Sequence, residues 1–420
     1  MKDQTSSREG RHAAAEAPRK HSKFTRTFRK AWAVIYLLFL LVFEIVLFLL
    51  DVLPVKILLG VFIVLFVVSA LIYYLLAKRT ARRWVRVVAL ALSCVLMAVY
   101  GFGTVYAMNT MSFLGFITKR SQMEGTKDRI VEEPFILYIT GIDSWSTIDE
   151  PGRSDVNMVV VVNPETHKIL LVSIPRDYKI NVVGTGYTDK LTHTGIHGVD
   201  MTLSSVEDLL DIHIDYYVKV NFNTVRKYVD AIDGVDVVSE YDFYSDYGGD
   251  HVEYHFVEGV NHLDGAQALA FARERKSFAT GDHQRVRNQQ LVFKAILDKT
   301  MKSSTILLRY NTILGNLRNY LETDMSPNDI KALIKYQMLY MRGWSIDSYS
   351  LTGPGSTEAT YSAGVAYIML HDEYSVETAH NLITAVMNDE VDLSQYYYDE
   401  EEAASSTDVI GGVSTEEPAE

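Results

Sequence analysis

Three long apolar segments stand in series at the start of this chain, about Ala31 to Leu50, Val55 to Leu76 and Val85 to Met108. Each reaches the roughly 20 residues that a helix needs to cross the hydrocarbon of a bilayer. A cleavable leader would be a single such segment, so three in a row predict a retained anchor of three transmembrane helices over residues 31–108 rather than buried helices of a soluble domain. The flanks set its orientation. Residues 1–30 carry Lys2, Arg8, Arg11, Arg19, Lys20, Lys23, Arg26, Arg29 and Lys30, and the second linker carries Lys78, Arg79, Arg82, Arg83 and Arg86, whereas the first linker has one charge of each sign. Basic flanks stay in the cytoplasm, which places the N-terminus inside and the chain after about Asn109 outside. Glu44 falls in the middle of the first span, where a carboxylate is costly. Two readings stay open for it, a protonated acid hydrogen-bonded within the bundle or a contact in helix association.

The formal net charge of −13 argues against a general nucleic-acid binder, and the basic arm is accounted for by topology and anionic lipid. The single cysteine, Cys94, lies inside the third apolar segment, which excludes an intrachain disulfide framework and a cysteine metal site. Beyond the anchor the order of composition predicts a polar connector over residues 109–133, an α/β domain over 134–300, a mostly helical region over 301–395, and an acidic disordered tail over 396–420.

The α/β domain is organised around residues 153–177, RSDVNMVVVVNPETHKILLVSIPRD. Two runs rich in β-branched residues, Val156 to Val162 and Lys168 to Ile174, flank Asn163-Pro164-Glu165-Thr166-His167 and read as a buried hairpin. Arg153 and Asp155 precede its first strand; Arg176 and Asp177 follow the second, across Pro175. A hairpin brings its open ends together, so two arginines and two carboxylates meet on one rim. Arginine forks suit an anion and hard oxygens suit Mg²⁺, the equipment of a metal-bound phosphate. Ahead of the hairpin, Phe135 to Gly141 reads as a strand delivering Asp143. After it come a loop with Lys190, Thr192 and His193, a helix near Val199 to Leu210, a strand over Tyr216 to Phe222, a helix over Thr224 to Ile232 and a strand over Val235 to Ser239. This alternation predicts an α/β or α+β sandwich on one central sheet.

A second arginine group lies in LDGAQALAFARERKSFATGDHQRVRNQQLVFKAIL, Leu263 to Leu297. Asp264 is the expected N-cap of a helix through Arg275, and Gly281-Asp282 starts another that carries Arg285 and Gln289 on one face. Arg273 and Arg275 cannot share a face of a regular helix, but at its C-terminus both can turn into one cleft. Further on, helices are expected over Asn311 to Leu321, Asp329 to Met341 and Val376 to Met387, with SYSLTGPGS and AYIMLHDEYS as late edge elements.

Several of these stretches resemble the LytR-CpsA-Psr family of Gram-positive cell-envelope proteins: GID at Gly141 to Asp143, RSD at Arg153 to Asp155, SIPRD at Ser173 to Asp177, Lys190 in the KL-T-H stretch, DGVDV at Asp233 to Val237, LDGAQALAFARER, and GDHQRVRNQQ at Gly281 to Gln290. They occur in the family's order over about Phe135 to Leu297, with Asn288-Gln289 where many members have Arg-Gln. The three spans resemble the capsule-associated CpsA-type branch, without room in the connector for that branch's extra module. The resemblance implies a membrane-anchored phosphotransferase that takes a glycopolymer, capsular polysaccharide or teichoic-acid-like, from an undecaprenyl-pyrophosphate carrier to peptidoglycan. Its partners would be that lipid-linked glycan, peptidoglycan, membrane lipid and capsule-synthesis membrane proteins. By the same resemblance Asp143 and Asp155 hold Mg²⁺, with Mn²⁺ as a substitute left open. Arg153, Arg176, Lys190, Arg273, Arg275, Arg285 and Gln289 would contact the pyrophosphate, and Arg153, Asp155, Arg176, Arg273 and Arg275 form the catalytic set. Competing readings are a lipid-pyrophosphate hydrolase and a non-catalytic regulator that binds lipid-linked polymer. Asp177 and Asp282 are both candidates for a general base, with Asp177 more simply read as orienting Arg176.

Overall fold

The computed structural model describes residues 23–78, 82–118, 129–279, 281–301, 317, 319–340 and 342–397. Three helices come first, α1 (Lys23–Leu50), α2 (Val55–Ala77) and α3 (Arg83–Ile117), and all three are long and apolar enough to cross a membrane. They form one compact unit as far as Val105. Its outward positions, Phe48, Phe66 and Phe102 among them, are exposed apolar side chains, while its interior pairs polar groups from different helices. Tyr36 and Ser69 share a hydrogen bond of 2.7 Å between hydroxyls, and Trp32 Nε1 donates to Ser93 Oγ at 2.9 Å. Such bonds hold helices together where surrounding apolar matter supplies no hydrophobic drive. Glu44 Oε1 is buried without a hydrogen-bond partner among the described residues, so that oxygen does not make the bond within the bundle that the sequence allowed for it.

The second unit begins at Tyr106 and includes residues 50–54. Helix α3 continues past the predicted end at Met108, and its Phe113, Leu114 and Ile117 are buried in this unit's core. Part of the expected polar connector is therefore core-forming helix; residues 119–128 lie outside the described set.

The elements that follow are β1 (Phe135–Ile142), β2 (Ser154–Asn163), β3 (Lys168–Ser173), β4 (Lys179–Val182), β5 (Tyr187–Lys190), the single turn α4 (Leu191–Thr194), α5 (Val199–Leu210), β6 (Tyr216–Asn221), α6 (Phe222–Ala231), β7 (Val235–Ser239), β8 (Phe243–Ser245), β9 (Tyr254–Phe256), β10 (Gly259–Leu263), α7 (Gly265–Arg273), α8 (Asp282–Met301), β11 (Leu321–Thr323), α9 (Pro327–Tyr340), β12 (Ser345–Ser350), β13 (Gly355–Thr360), β14 (Gly364–Met369) and α10 (Glu373–Met387). Six strands make one mixed sheet in the order β11-β6-β1-β2-β3-β12, with β1 parallel to β6 and β3 parallel to β12. The hairpin is at its middle, with Val159 opposite both Tyr138 of β1 and Val172 of β3.

Both faces of this sheet are covered, which is why its central strands are continuously apolar. Along β2 and β3, Val159, Val161, Leu170 and Val172 point to one core, where they meet Val206 and Leu210 of α5 and Leu382, Ile383 and Val386 of α10. The alternate residues Met158, Val160, Ile169 and Leu171 point to the other face, against Phe293 of α8. A further core joins α6, α7 and α8 to β7 and β10.

The sequence reading differs from this architecture in its polar stretches. The loop expected to hold Lys190, Thr192 and His193 is instead the end of the β4–β5 hairpin, which Gly184 and Gly186 turn back on itself with positive φ, followed by the helical turn α4. Helix α7 stops at Arg273 instead of Arg275. The region after residue 300, read as mostly helical, contributes four strands among the described residues; Leu321 opens β11 instead of closing a helix, and residues 311–316 and 318 of that expected helix lie outside the described set. The acidic tail from Tyr396 is outside it after residue 397.

Candidate active site

A cavity of about 500 Å³ opens between the second face of the sheet and helices α6, α7 and α8. Its depth is apolar, lined by Ile139, Met158, Val218 and Val220 from the strands and by Val292, Phe293 and Ile296 from α8. Its mouth is ionic: Asp143, Asp155, Arg176, Arg273, Arg275, Arg285 and Gln289 all line it.

The carboxylates reach this mouth by an irregularity in the sheet. Gly141 pairs with Val156 and Ile142 with Ser154, so Asp155 is the extra residue of a β-bulge. A bulge re-aims the residue it adds, and here it turns Asp155 toward the end of the strands where β1 delivers Asp143. Gly141 is needed beside it, since a Cβ there would fall 2.8 Å from Val156 Cβ. Arg176 donates through Nη1 to both oxygens of Asp155 at 3.0 Å, and Thr192 Oγ1 donates to Asp155 Oδ1 at 3.2 Å. On its other side Arg176 Nε forms an ion pair of 3.5 Å with Asp177, which in turn receives Lys190 Nζ at 2.9 Å. Asp177 is 7% exposed and absent from the cavity lining, so its geometry is that of a group holding Arg176. Lys190 and Arg153 also stay out of the lining. The Arg153 side chain is exposed, and its contribution to the site is a carbonyl that accepts the Asp143 N–H at 2.9 Å.

The helix side is built differently. Asp264 caps α7 as expected, accepting the Gln267 N–H at 2.9 Å in a reciprocal capping box. At the other end Arg273 is the last helical residue and Glu274 is extended, with φ −65° and ψ 134°. Neighbours of an extended residue project to the same side, which is how Arg273 and Arg275 both reach the cavity. Glu274 itself is 2% exposed, and its Oε1 accepts the N–H groups of Arg275, Lys276 and Ser277 at 2.9, 2.7 and 3.0 Å. The only sequence signal for Glu274 was its place between the two arginines.

Arg273 Nη1 donates to the Tyr247 carbonyl at 3.0 Å, and its guanidinium lies 3.9 Å from the Phe222 ring centre and 5.6 Å from that of Tyr247. Burial lowers the Arg273 guanidinium from its ordinary value, while the nearby Asp143 and Asp155 carboxylates pull it back up. From α8, Arg285 is 5% exposed, and Asn288, buried one turn from Gln284, donates to the Phe271 carbonyl at 3.1 Å and so ties α8 to α7. Asp282 opens α8, and its side chain lies outside the described set.

Beside the mouth, buried Asp189 accepts hydrogen bonds from His193 Nδ1 at 2.8 Å, from the Lys190 N–H at 2.7 Å and from the Ser362 N–H at 3.1 Å. Burial pushes its carboxyl up, but these donors outweigh it and hold Asp189 below its ordinary value of 3.8. The sequence named His193 and missed Asp189, whose further donor Ser362 lies in a hairpin far along the chain.

No cluster of three or more histidine, cysteine or acidic side chains suited to a metal occurs among the described residues. Mg²⁺ bound with a phosphate needs only one or two protein carboxylates, and the two aspartates at the mouth fit that donor set.

An apolar cavity with a cationic mouth, set between a mixed sheet and its helices, can hold an amphiphilic anion. Residues 107–382 match the model of the LytR_cpsA_psr family, and the chain belongs to that family. It is 33% identical over 238 residues, 54% of this chain and 76% of the relative, to a polyisoprenyl-teichoic acid–peptidoglycan teichoic acid transferase TagU of Bacillus cereus. Among solved structures it is similar to a transcriptional regulator from Enterococcus faecalis, with a TM-score of 0.51 and 27% identity over 66% of this chain and 97% of the other. It is also similar to TagV of Bacillus subtilis, with a TM-score of 0.50 and 28% identity over 62% and 99% of the two chains.

Proposed function

We propose that this chain is a membrane-anchored phosphotransferase that moves a glycopolymer from a polyprenyl-pyrophosphate carrier onto peptidoglycan. One observation carries the reading: a single cavity is apolar along its depth and lined at its mouth by four arginines and two carboxylates, the outline of a prenyl chain ending in a pyrophosphate. The names of the TagU relatives support a teichoic-acid-type cargo, and capsular polysaccharide is the alternative that the resemblance of the three spans to the capsule-associated branch leaves open. The basic flanks support a cytoplasmic N-terminus and an extracellular site.

In the proposed reaction an acceptor hydroxyl of peptidoglycan attacks the phosphorus that carries the saccharide. A new P–O bond forms, the bond to the lipid phosphate breaks, and polyprenyl phosphate leaves as the hydroxyl proton is lost. Arg176, fixed between Asp155 and Asp177, and Arg273, held over Phe222, present donors that need no rearrangement as charge shifts across the pyrophosphate. Such a transfer depends on positioning and charge neutralisation more than on covalent help from the protein. Asp143 and Asp155 would hold Mg²⁺, which supplies further neutralisation of phosphate oxygens. The apolar depth excludes water around the prenyl chain and fixes how far the phosphates enter.

The test combines the purified full chain with a polyprenyl-pyrophosphate-linked saccharide, peptidoglycan fragments and Mg²⁺, alongside an Arg273→Ala/Arg275→Ala variant. Saccharide joined to peptidoglycan by the parent and not the variant is the expected result. Release of phosphorylated saccharide alone would make the chain a hydrolase, and binding without turnover would make it a regulator.

A further inference from the structure

Asp143 opens a short loop that returns to Arg153, and this loop holds an indole against Phe222, one of the residues that line the cavity. Two carbonyls of the loop are pinned by the start of α6: Asn223 Nδ2 donates to the Trp145 carbonyl at 2.6 Å, and Asn221 Nδ2 to the Ser146 carbonyl at 2.8 Å. The Trp145 ring packs 5.1 Å from the Phe222 ring, and the Arg226 guanidinium lies 5.9 Å from its centre. Gly249, at φ +83°, passes so close that a Cβ there would fall 1.9 Å from Trp145 Cη2. Despite these constraints Trp145 remains 43% exposed. A large ring held this firmly yet left open to water is a surface prepared for a ligand.

We propose that Trp145 is the platform of a saccharide subsite at the cavity mouth, taking the sugar ring attached to the pyrophosphate of the donor. The proposal rests on the phosphotransferase reading and names where that substrate's sugar lies. The Arg273 guanidinium lies over the Phe222 ring, and the Trp145 ring meets that same ring at an interplanar angle of 57°. A phosphate at Arg273 therefore has the indole as a near neighbour on the open side. The group bonded to that phosphate is a pyranose, whose axial C–H bonds make an apolar face that lies flat on an aromatic ring while its hydroxyls stay in water. Tyr247, whose ring lies 5.4 Å from Lys276 Nζ, adds a second ring to the same mouth. An apolar peptide would gain little beside Arg226, Arg273 and Lys276, whereas hydroxyls and ring oxygens accept from them.

The test measures equilibrium binding of farnesyl pyrophosphate and of farnesyl-pyrophosphoryl-N-acetylglucosamine to the full chain in detergent, by calorimetry, for the parent, Trp145→Ala and Trp145→Phe. The parent is expected to prefer the sugar-bearing ligand by about tenfold, the scale of one aromatic contact. Trp145→Ala abolishes that preference while binding bare farnesyl pyrophosphate as the parent does, and Trp145→Phe retains part of it. Equal weakening of both ligands by Trp145→Ala, or an undiminished preference, overturns the subsite. A parent that binds the bare lipid without preferring the sugar overturns the subsite alone. A parent that binds neither ligand overturns the phosphotransferase reading as well.

Discussion

The cavity mouth is supplied from two sides, and the two sides hold their arginines by different means. On the strand side Arg176 is clamped between Asp155 and Asp177, with Lys190 completing a row of alternating charges. On the helix side Arg273 rests on aromatic faces and a carbonyl, and the turn that follows it is held by Glu274 through backbone N–H groups. A clamp of carboxylates fixes a guanidinium and also neutralises it. A ring fixes it and leaves the charge available to an incoming anion. The comparison assigns positioning to the strand side and most of the charge offered to the ligand to the helix side.

That division predicts an order of effects. Arg273→Ala should lower turnover most, between about a hundred- and a thousandfold, the range for removing one preorganised donor to a developing charge. Arg273→Lys should recover little, because an ammonium lacks the flat fork that stacks on Phe222. Formation of joined product measures both, and a smaller loss for Arg273→Ala than for Asp155→Asn would reverse the assignment. Asp155→Asn weakens the clamp on Arg176, with an expected loss of about ten- to a hundredfold in turnover and a lower melting temperature, since charged hydrogen bonds contribute roughly 1.5–3 kcal/mol. A turnover loss with an unchanged melting temperature would show that Asp155 acts on the ligand rather than through Arg176.

Glu274→Ala leaves three N–H groups without their acceptor and should cost about 1–3 kcal/mol in urea unfolding, with reduced turnover. Glu274→Gln keeps an oxygen in place and should recover most of both. If alanine and glutamine behave alike, the negative charge matters and the backbone bonds do not. The smallest effect is one of pH. Asp189 has its folded value depressed, so its stabilisation is fully present above its unfolded value and is lost as pH falls through the folded one. The melting temperatures of the parent and Asp189→Asn should therefore differ most near neutrality and converge below about pH 4, near the ordinary carboxylate value.

The sheet and the strand side of the site were the more legible parts of the sequence. The runs 156–162 and 168–174 are largely apolar on both faces and bounded by charges and proline, so they admit few other folds, and the ends of a hairpin must meet. The helix side was half legible. The arginines stood out in an acidic chain, but Glu274 looked like one more charge in RERK, and its role depends on a change of backbone direction within one residue. The bulge at Asp155 left no mark, because adding one residue to a strand changes no residue type. The β4–β5 hairpin was hidden for a related reason, and of β13–β14 only edge elements were legible, not their pairing. Their strands are short and partly exposed, and they are held by pairs such as Lys179 with Glu358 and Asp189 with Ser362 that lie far apart in sequence.

The order of strands in the central sheet bears on how the domain comes into being. Both edges, β11 and β12, are supplied from beyond residue 320, while the four strands between them lie before residue 222. A chain emerging from its N-terminus would present β6 and β3 as open edges until the last third arrived, with rows of unpaired N–H and C=O groups able to recruit other chains. Completion of the sheet is thus delayed by distant pairing, a slow step for chains of high contact order. A truncation placed at residue 300, where the composition alone suggested a domain boundary, would make that transient state permanent.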